Sequence, residues 1–216
     1  METSIIYEDA PQVPLTDILP ELEFEFTDAP QGLLAHLLRR TLIRFCNVTN
    51  AMRREAIITT QSCVPNYLLE LPDGIELIAV MRLACIKDRY CRPDYQRVTT
   101  TVDNPRCCCF CAPYTVSVNA GELVFDPPPS HAMFKVDMSV MPSGTACSFD
   151  RALLHYEDVL LDGARARMYA QTGKPWSSAQ RAVASDIAFQ RGCADAAVDA
   201  MLHQQRGAFR GRRRKF

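Results

Sequence analysis

The chain has 216 residues, of which 48% are hydrophobic and 23% charged, and its formal net charge is −1. This composition is typical of a globular protein and excludes an intrinsically disordered chain. The near-zero net charge gives no general indication of nucleic-acid or acidic-membrane binding. The basic residues are unevenly distributed, because six lie close together at the C-terminal end, namely Arg206, Arg210, Arg212, Arg213, Arg214 and Lys215. The rest of the chain is therefore acidic.

No targeting or membrane segment is predicted. The first residues lack the basic and apolar regions of a signal peptide. The most apolar run, Ile75–Ile86, contains Glu76 and Arg82 and is too short to span a bilayer. The sequence therefore predicts synthesis in the cytoplasm, where the ten cysteines stay reduced.

The N-terminal part predicts one long helix after a short one. Residues 1–29 are rich in proline and acid, with a short helix or turn at Leu15–Leu22. Leu34, Leu38, Leu42 and Phe45 then follow at spacings of four, four and three, which place them on one helix face. This pattern predicts a helix over Pro30–Met52.

The middle of the chain is predicted to be β-rich. Short runs of β-branched and aromatic residues, separated by turn residues, are typical of strands. In the clearest one Phe134, Val136 and Met138 alternate with polar residues, which indicates one buried and one solvated face. The predicted strands are Glu55–Thr60, Tyr67–Leu71, Ile75–Cys85, Tyr114–Val118, Glu122–Phe125 and Ala132–Met141.

Two more helices are predicted near the C-terminus. Ser148 is expected to cap the first of them, and Gly163-Ala164 gives it a smooth patch against which another helix can pack closely. Glycine followed by proline is typical of a helix end. A structural corner is therefore predicted at Gly173, Pro175, Trp176 and Ser177, with Ser177 as the N-cap of a helix that runs to about Arg206.

The order of elements predicts an α+β fold. Because helices from both chain ends must pack together, the expected architecture is an α-helical bundle with an inserted β-rich lobe and an extended basic C-terminal tail. The predicted divisions are an N-terminal arm and first bundle helix at 1–54, the inserted lobe at 55–145, two bundle helices at 146–206, and the tail at 207–216.

No catalytic, cofactor-binding or metal-binding residue is predicted. Cys108 and Cys111 form a Cys-x-x-Cys pair within Cys107–Cys111, but the second ligand pair of a structural zinc site is missing. A loop of reduced thiols is therefore the preferred interpretation. Neither the histidines nor the neighbouring carboxylates match a catalytic motif. The four histidines are His36, His131, His155 and His203, and the carboxylates are Glu21, Glu23, Glu25, Glu157 and Asp158. The protein is expected not to be an enzyme.

The basic tail is the main functional feature. An arginine-rich segment is compatible with a solvated end, with phosphate binding or with docking to an acidic protein. Phe209 and Phe216 favour protein docking, because aromatic side chains fill pockets in protein partners whereas a purely electrostatic DNA contact needs none.

Several segments resemble the adaptor proteins of phage necks, which lie between the portal and the tail. DGARARMYAQTGKPWSSAQRAVASDIAF, within Leu153–Phe189, resembles the C-terminal helical pair of that family and its Gly-Lys-Pro-Trp-Ser corner. LLRRTLIRFCNVTNAMR resembles the family's first helix. YLLELPDGIELIAVMRL and YTVSVNAGELVFDPPPS resemble a strand and a hairpin of its lobe. The loop Cys107–Cys111 matches no motif of the family.

The resemblance implies a structural virion protein in the neck, a head-to-tail adaptor. Copies of the chain would assemble as a ring beneath the portal and would match the portal's twelve-fold symmetry. The ring would extend the DNA channel used in ejection and provide the attachment site for a tail protein. The residues implied to dock into the portal are Arg206, Phe209, Arg210, Arg212, Arg213, Arg214, Lys215 and Phe216. Neither a cofactor nor a membrane is implied, and contact with genomic DNA is expected to be transient.

Two alternatives remain open at this point. The first is a nucleic-acid-binding accessory protein that uses the arginine-rich tail. The second is a tail-associated wall hydrolase, which would need a catalytic pocket that the sequence does not indicate.

Overall fold

The computed structural model of the chain describes residues 6–7, 11–86, 95–97, 115–119, 121–126, 128 and 133–209. The strands among them are Ile6–Tyr7 (β1), Gln12–Pro14 (β2), Arg53–Thr59 (β3), Asn66–Leu68 (β4), Ile75–Ile86 (β5), Tyr95–Arg97 (β6), Thr115–Asn119 (β7), Glu122–Asp126 (β8), Met133–Pro142 (β9) and Ser148–Asp150 (β10). The helices are Leu19–Glu25 (α1), Gln31–Thr49 (α2), Glu157–Tyr169 (α3) and Ala179–Phe209 (α4). The α+β class predicted from the sequence is confirmed.

The chain divides into two compact units. The first, a β-rich unit, comprises Met1–Asp9, Arg53–Asp73 and Leu77–Val140. The second, a helical unit, comprises Ala10–Met52, Gly74–Glu76 and Met141–Phe216.

The described residues of the β-rich unit form two sheets. One has the strand order β1-β3-β9-β5-β6, and the other has the order β4-β8-β7. Strand β9 carries the predicted alternation, since Phe134, Val136 and Met138 are all buried. The centre of the Phe125 ring of β8 lies 5.6 Å from the ring centre of Tyr67 of β4, in the same sheet, and 5.1 Å from that of Phe134 of β9, in the other sheet. Aromatic side chains therefore join the two sheets into one core.

Helix α2 buries the face that its spacing predicts. Leu34, Leu38, Leu42 and Phe45 are almost fully buried. The helix ends at Thr49, three residues before the predicted end, because Asn50 adopts the left-handed conformation (φ 52°) that commonly closes a helix. Helices α2, α3 and α4 contact one another in this unit, and α1 contacts α2.

The prediction that Ser148 caps a helix is wrong. Ser148 begins β10, which pairs antiparallel with β2 through Phe149 and Val13. The cap is instead Asp150, whose carboxylate accepts a hydrogen bond from the Ala152 amide at 2.9 Å and opens the 3-10 turn Arg151–Tyr156 before α3. A three-residue strand whose partner lies near the other end of the chain has no periodicity of its own, so the sequence did not reveal it.

Candidate docking surface on the C-terminal helix

The corner before α4 differs in detail from its prediction. Helix α3 ends at Tyr169, and Gly173 lies in the turn that follows, with a φ of +74°. The N-cap is Ser178 and not Ser177, since the Ser178 hydroxyl accepts a hydrogen bond from the Arg181 amide at 3.4 Å. The Ser177 amide instead donates to the Lys174 carbonyl at 3.0 Å, which closes a turn through Pro175 and Trp176. Ser177 and Ser178 are adjacent and either could cap a helix, so the sequence alone could not show which of them is the N-cap.

One face of α4 is buried against α3. Phe189, Cys193, Ala196 and Ala200 form this inner face at spacings of four, three and four. A Cβ built on Gly163 of α3 would lie 2.5 Å from Thr41 Cγ2 and 2.6 Å from Phe189 Cδ2. The smooth patch predicted at Gly163 is therefore confirmed, because only a residue without a Cβ fits between α2 and α4 at that point.

The opposite side of α4 is apolar and exposed. We call Val183, Ile187, Val198 and Met201 the outer stripe; these four side chains are between 46% and 60% exposed. Ala194, also exposed, lies seven residues from both Ile187 and Met201, so the stripe continues along the same side of the helix. A helix that is apolar on two faces and buried on only one has a second surface suited to contact with another protein.

An arginine cluster lies beside the inner face. Arg44 of α2 forms an ion pair with Asp186 of α4 at 3.4 Å, and its guanidinium lies 5.2 Å from the centre of the Phe189 ring. Burial lowers the pKa of Arg167 on α3, and the neighbouring charges of Arg40 and Arg44 lower it further. Because the three arginines are close to only one carboxylate, that of Asp186, the cluster is positively charged and can attract an anionic group.

Helix α1 is held on α3 by a polar cluster. The Glu25 carboxylate accepts a hydrogen bond from Arg165 Nε at 2.7 Å and a second one from the Tyr169 hydroxyl. Next to them the Phe26 ring packs edge-on against that of Tyr169, with 5.1 Å between centroids. While Phe26 is buried, Phe24 is 88% exposed. The exposure of Phe24 was not predicted, although an aromatic residue within the acidic segment Glu21–Glu25 was a signal for it.

The predicted docking residues lie mostly outside the described part of the chain. The backbone of α4 continues through Arg206 to Phe209, three residues beyond the predicted end of the helix. The remaining predicted docking residues, Arg210, Arg212, Arg213, Arg214, Lys215 and Phe216, lie outside the described residues, as does the loop Cys107–Cys111. The outer stripe, which was not predicted, lies on α4 and precedes the predicted tail in the sequence.

Four cysteines with described side chains are free thiols, and two of them are buried while two are exposed. Cys46 and Cys193 are buried, whereas Cys63 and Cys147 are exposed. Burial, helped by the charge of Asp150, raises the pKa of the Cys46 thiol to about 12. Burial also raises the pKa of Cys193, to about 11. Both buried thiols therefore stay protonated at neutral pH and are poor nucleophiles.

Iodoacetamide at pH 8 is expected to alkylate Cys63 and Cys147 at least about 100-fold faster than Cys46 and Cys193. The reason is that alkylation requires both access and thiolate, and the buried pair lacks both. Peptide mass spectrometry of timed samples measures each site separately, and samples in denaturant provide the control in which all four react. Fast labelling of Cys46 in the folded protein would contradict the packing of α2.

No model of a known protein family matches the chain, and no curated protein matches it. Among the described residues, no three His, Cys, Asp or Glu side chains are grouped so that they could hold a metal ion. None of the helices in that part of the chain is both long and apolar enough to cross a membrane.

Proposed function

We propose that this chain is a structural subunit of a phage neck, a head-to-tail adaptor that forms a ring beneath the portal. In this proposal α2, α3 and α4 belong to the helical bundle of the ring wall, and the β-rich unit is the inserted lobe that contacts neighbouring subunits or the tail. Twelve copies would match the portal, extend the DNA channel and carry the attachment site for a tail protein.

The observation that carries the proposal is the two-faced helix α4. Its inner face is fixed by Phe189, Cys193 and Ala196, so the helix is held rigidly on α3. Its outer stripe is apolar, exposed and followed by Arg206 and the five cations of the tail. A rigid helix with an uncovered apolar side and a basic end is suited to assembly with other proteins, since apolar side chains supply affinity and charges supply orientation.

The corner before α4 supports the same proposal. The Gly-Lys-Pro-Trp-Ser residues, on which the resemblance to neck adaptors partly rests, form the turn between α3 and α4. These two helices pack against each other. The position of the motif between these two helices supports the proposal.

Deleting Arg206–Phe216 is expected to abolish binding to the portal ring of the same phage while leaving the subunit folded. The deletion removes no described buried side chain, because the last of these is Ala200. Electron microscopy and sedimentation of mixtures with purified portal measure binding, and circular dichroism of the deleted chain checks its fold. Portal binding by the deleted chain at wild-type strength would refute the docking role of the tail.

Two matched variants separate aromatic from electrostatic docking. In one, Arg210, Arg212, Arg213 and Arg214 are replaced by glutamine while both aromatic residues stay. In the other, Phe209→Ala and Phe216→Ala leave the cations in place. A protein pocket requires both features, so each variant is expected to weaken portal binding by at least about tenfold. If only the charge variant weakens binding, the aromatic anchors have no role.

A second candidate, a nucleic-acid-binding accessory protein, is favoured by the arginine cluster of Arg40, Arg44 and Arg167. Such a protein would bind DNA with an affinity that falls steeply as the salt concentration rises. The logarithm of its binding constant would fall by about 0.9 for each neutralised phosphate per unit increase in the logarithm of the salt concentration. Titration of duplex DNA at several salt concentrations tests it. Tight, salt-dependent binding that Arg40→Gln and Arg167→Gln abolish would favour this candidate over the adaptor.

A further inference from the structure

The arginine cluster lies where helices α2, α3 and α4 meet. Gly163 of α3 marks the closest approach, since a Cβ built there would lie 2.5 Å from Thr41 of α2 and 2.6 Å from Phe189 of α4. Arg167 follows Gly163 by four residues and therefore lies one turn away on the same side of α3. Arg40 directly precedes Thr41 on α2. The junction of the three helices thus brings arginines from two of them close together.

The cluster is accessible from solvent, and one of its members is already held in place. Arg44 lies one turn after Arg40 on α2. Its guanidinium is fixed by the ion pair with Asp186 at 3.4 Å and by the Phe189 ring, whose centre is 5.2 Å away. The Arg44 side chain is nevertheless 44% exposed, Arg40 is exposed and Arg167 is half-buried. A dissolved ligand can therefore reach the cluster, and the part already ordered by the fold lowers the entropy cost of binding.

The charges of the cluster are not balanced within the described part of the chain. Asp186 is paired with Arg44, whereas no carboxylate among the described residues forms an ion pair with Arg40 or Arg167. Burial lowers the pKa of Arg167, the charges of Arg40 and Arg44 lower it further, and Asp186 alone opposes the shift. Three positive charges and one negative charge leave two positive charges, which an anion with two negative charges would balance.

We propose that Arg40, Arg44 and Arg167 together bind a single phosphate group. A phosphate group carries a charge of about −1.5 to −2 at pH 7, which matches the excess charge of the cluster, whereas one carboxylate would leave a positive charge unbalanced. Guanidinium groups donate pairs of parallel hydrogen bonds to phosphate oxygens. The ligand class is inorganic phosphate or a small phosphate ester. A nucleobase has no aromatic surface to stack on here, because Phe189 is buried.

A single phosphate group fits the cluster better than duplex DNA does. Surfaces that bind a duplex spread their cations along one face and neutralise several phosphates of the backbone. The three arginines instead lie within about one turn of a single helix junction, and the Asp186 carboxylate among them would repel further phosphates. The inference goes beyond the proposed ring and does not rest on it.

Calorimetric titration of the full-length chain with sodium phosphate, at neutral pH and at an ionic strength held constant with chloride, tests the proposal. We expect one saturable site per chain and a Tm that rises with the phosphate concentration, because a ligand that binds only the folded chain stabilises it. Arg40→Gln and Arg167→Gln should each weaken phosphate binding at least about tenfold. Without phosphate, Arg40→Gln should not lower the Tm, since it removes repulsion from Arg44; this result shows that the variant is folded.

Two control variants remove arginines outside the cluster. Arg191 is an exposed residue of α4 that lies five residues from Asp186 and so on a different side of the helix, and Arg191→Gln should bind phosphate like the wild type. The chain in which the four tail arginines are replaced by glutamine should also keep the site. Glycerol phosphate distinguishes the two sources of the ligand: if the ester binds as tightly as the free ion, the site accepts phosphate esters, and if it binds more weakly, the site is one for inorganic phosphate.

Four outcomes would overturn the proposal. The wild type could show no saturable phosphate binding. The tail variant could lose phosphate binding while Arg40→Gln keeps it, which would place the phosphate on the tail. Sodium acetate could raise the Tm as much as phosphate does, which would mean that the cluster accepts any anion. Short duplex DNA could bind more tightly than phosphate, with a steep salt dependence that Arg40→Gln abolishes, which would assign the cluster to a nucleic-acid interface. None of these measures portal binding, so failure here is distinguishable from failure of the proposed function.

Discussion

Replacing Gly163 by alanine is expected to lower the free energy of unfolding by about 1–3 kcal/mol. The new Cβ would lie 2.5 Å from Thr41 Cγ2 and 2.6 Å from Phe189 Cδ2, and real Cβ atoms do not approach other atoms so closely. Thr41 and Phe189 are both buried, so neither can turn away into solvent. Helix α3 would have to move away from α2 or α4, which costs packing along both contacts.

Gly32→Ala provides the matched control. Gly32 lies in the first turn of α2, and a Cβ there would meet no atom within 4 Å. Alanine should leave stability unchanged or raise it by up to about 1 kcal/mol, because it favours the helix without a clash. Urea unfolding followed by circular dichroism measures both variants. If the two glycine variants have equal stability, the close contact at Gly163 is not present in solution.

The local elements were predictable because a buried face leaves a period in the sequence. The strand predicted over Ala132–Met141 is β9, Met133–Pro142, and the helix predicted over Pro30–Met52 is α2. Pairing between distant short segments leaves no such period. For that reason the antiparallel pair of β2 and β10, with Phe149 opposite Val13, was missed and Ser148 was assigned to a cap.

The candidate docking surface was less predictable than the fold. The small residues of α4 indicated close packing, and Gly163 was identified correctly as a place of close approach. Whether a second apolar face is covered depends on tertiary packing and not on spacing. Ile187 and Phe189 are both apolar and two residues apart, but only the structure shows that Phe189 is buried and Ile187 exposed.

Asp137 is the residue at which substitution is expected to stabilise the protein. It lies on β9 directly opposite Glu55 of β3, so two acids face each other across the sheet. Its Oδ1 atom is buried and has no hydrogen-bond partner. Burial raises the pKa of Asp137, Glu55 raises it further, and Lys135, Arg82 and Arg53 oppose the shift without cancelling it.

The raised pKa determines how stability depends on pH. When the pKa is higher in the folded than in the unfolded chain, the group favours folding while it is protonated in both states. That contribution is complete below the ordinary aspartate pKa of about 3.9 and is lost as the pH rises through the raised value. At neutral pH the ionised Asp137 therefore destabilises the β-rich unit.

Asp137→Asn removes the ionisation and nearly preserves the shape of the side chain. The variant should be more stable than the wild type at pH 7, but because Asp137 is only partly buried and solvent screens its charge, the gain should not exceed about 1 kcal/mol, which corresponds to a Tm at most about 2–4 °C higher for a chain of this size. The difference should shrink to near zero at about pH 3, where the wild-type carboxyl is also neutral. Calorimetry from pH 3 to pH 8 measures it.

Asp126→Asn is the control for the general effect of removing one negative charge, because Asp126 lies at the exposed end of β8 in the same unit. It should change the Tm little at any of these pH values. If Asp137→Asn is less stable than the wild type at pH 7, the attraction of the Asp137 carboxylate to Arg53 and Arg82 outweighs the cost of its burial and its repulsion from Glu55. The pH at which the wild type and Asp137→Asn diverge then reports directly on the charge balance of this face of the sheet.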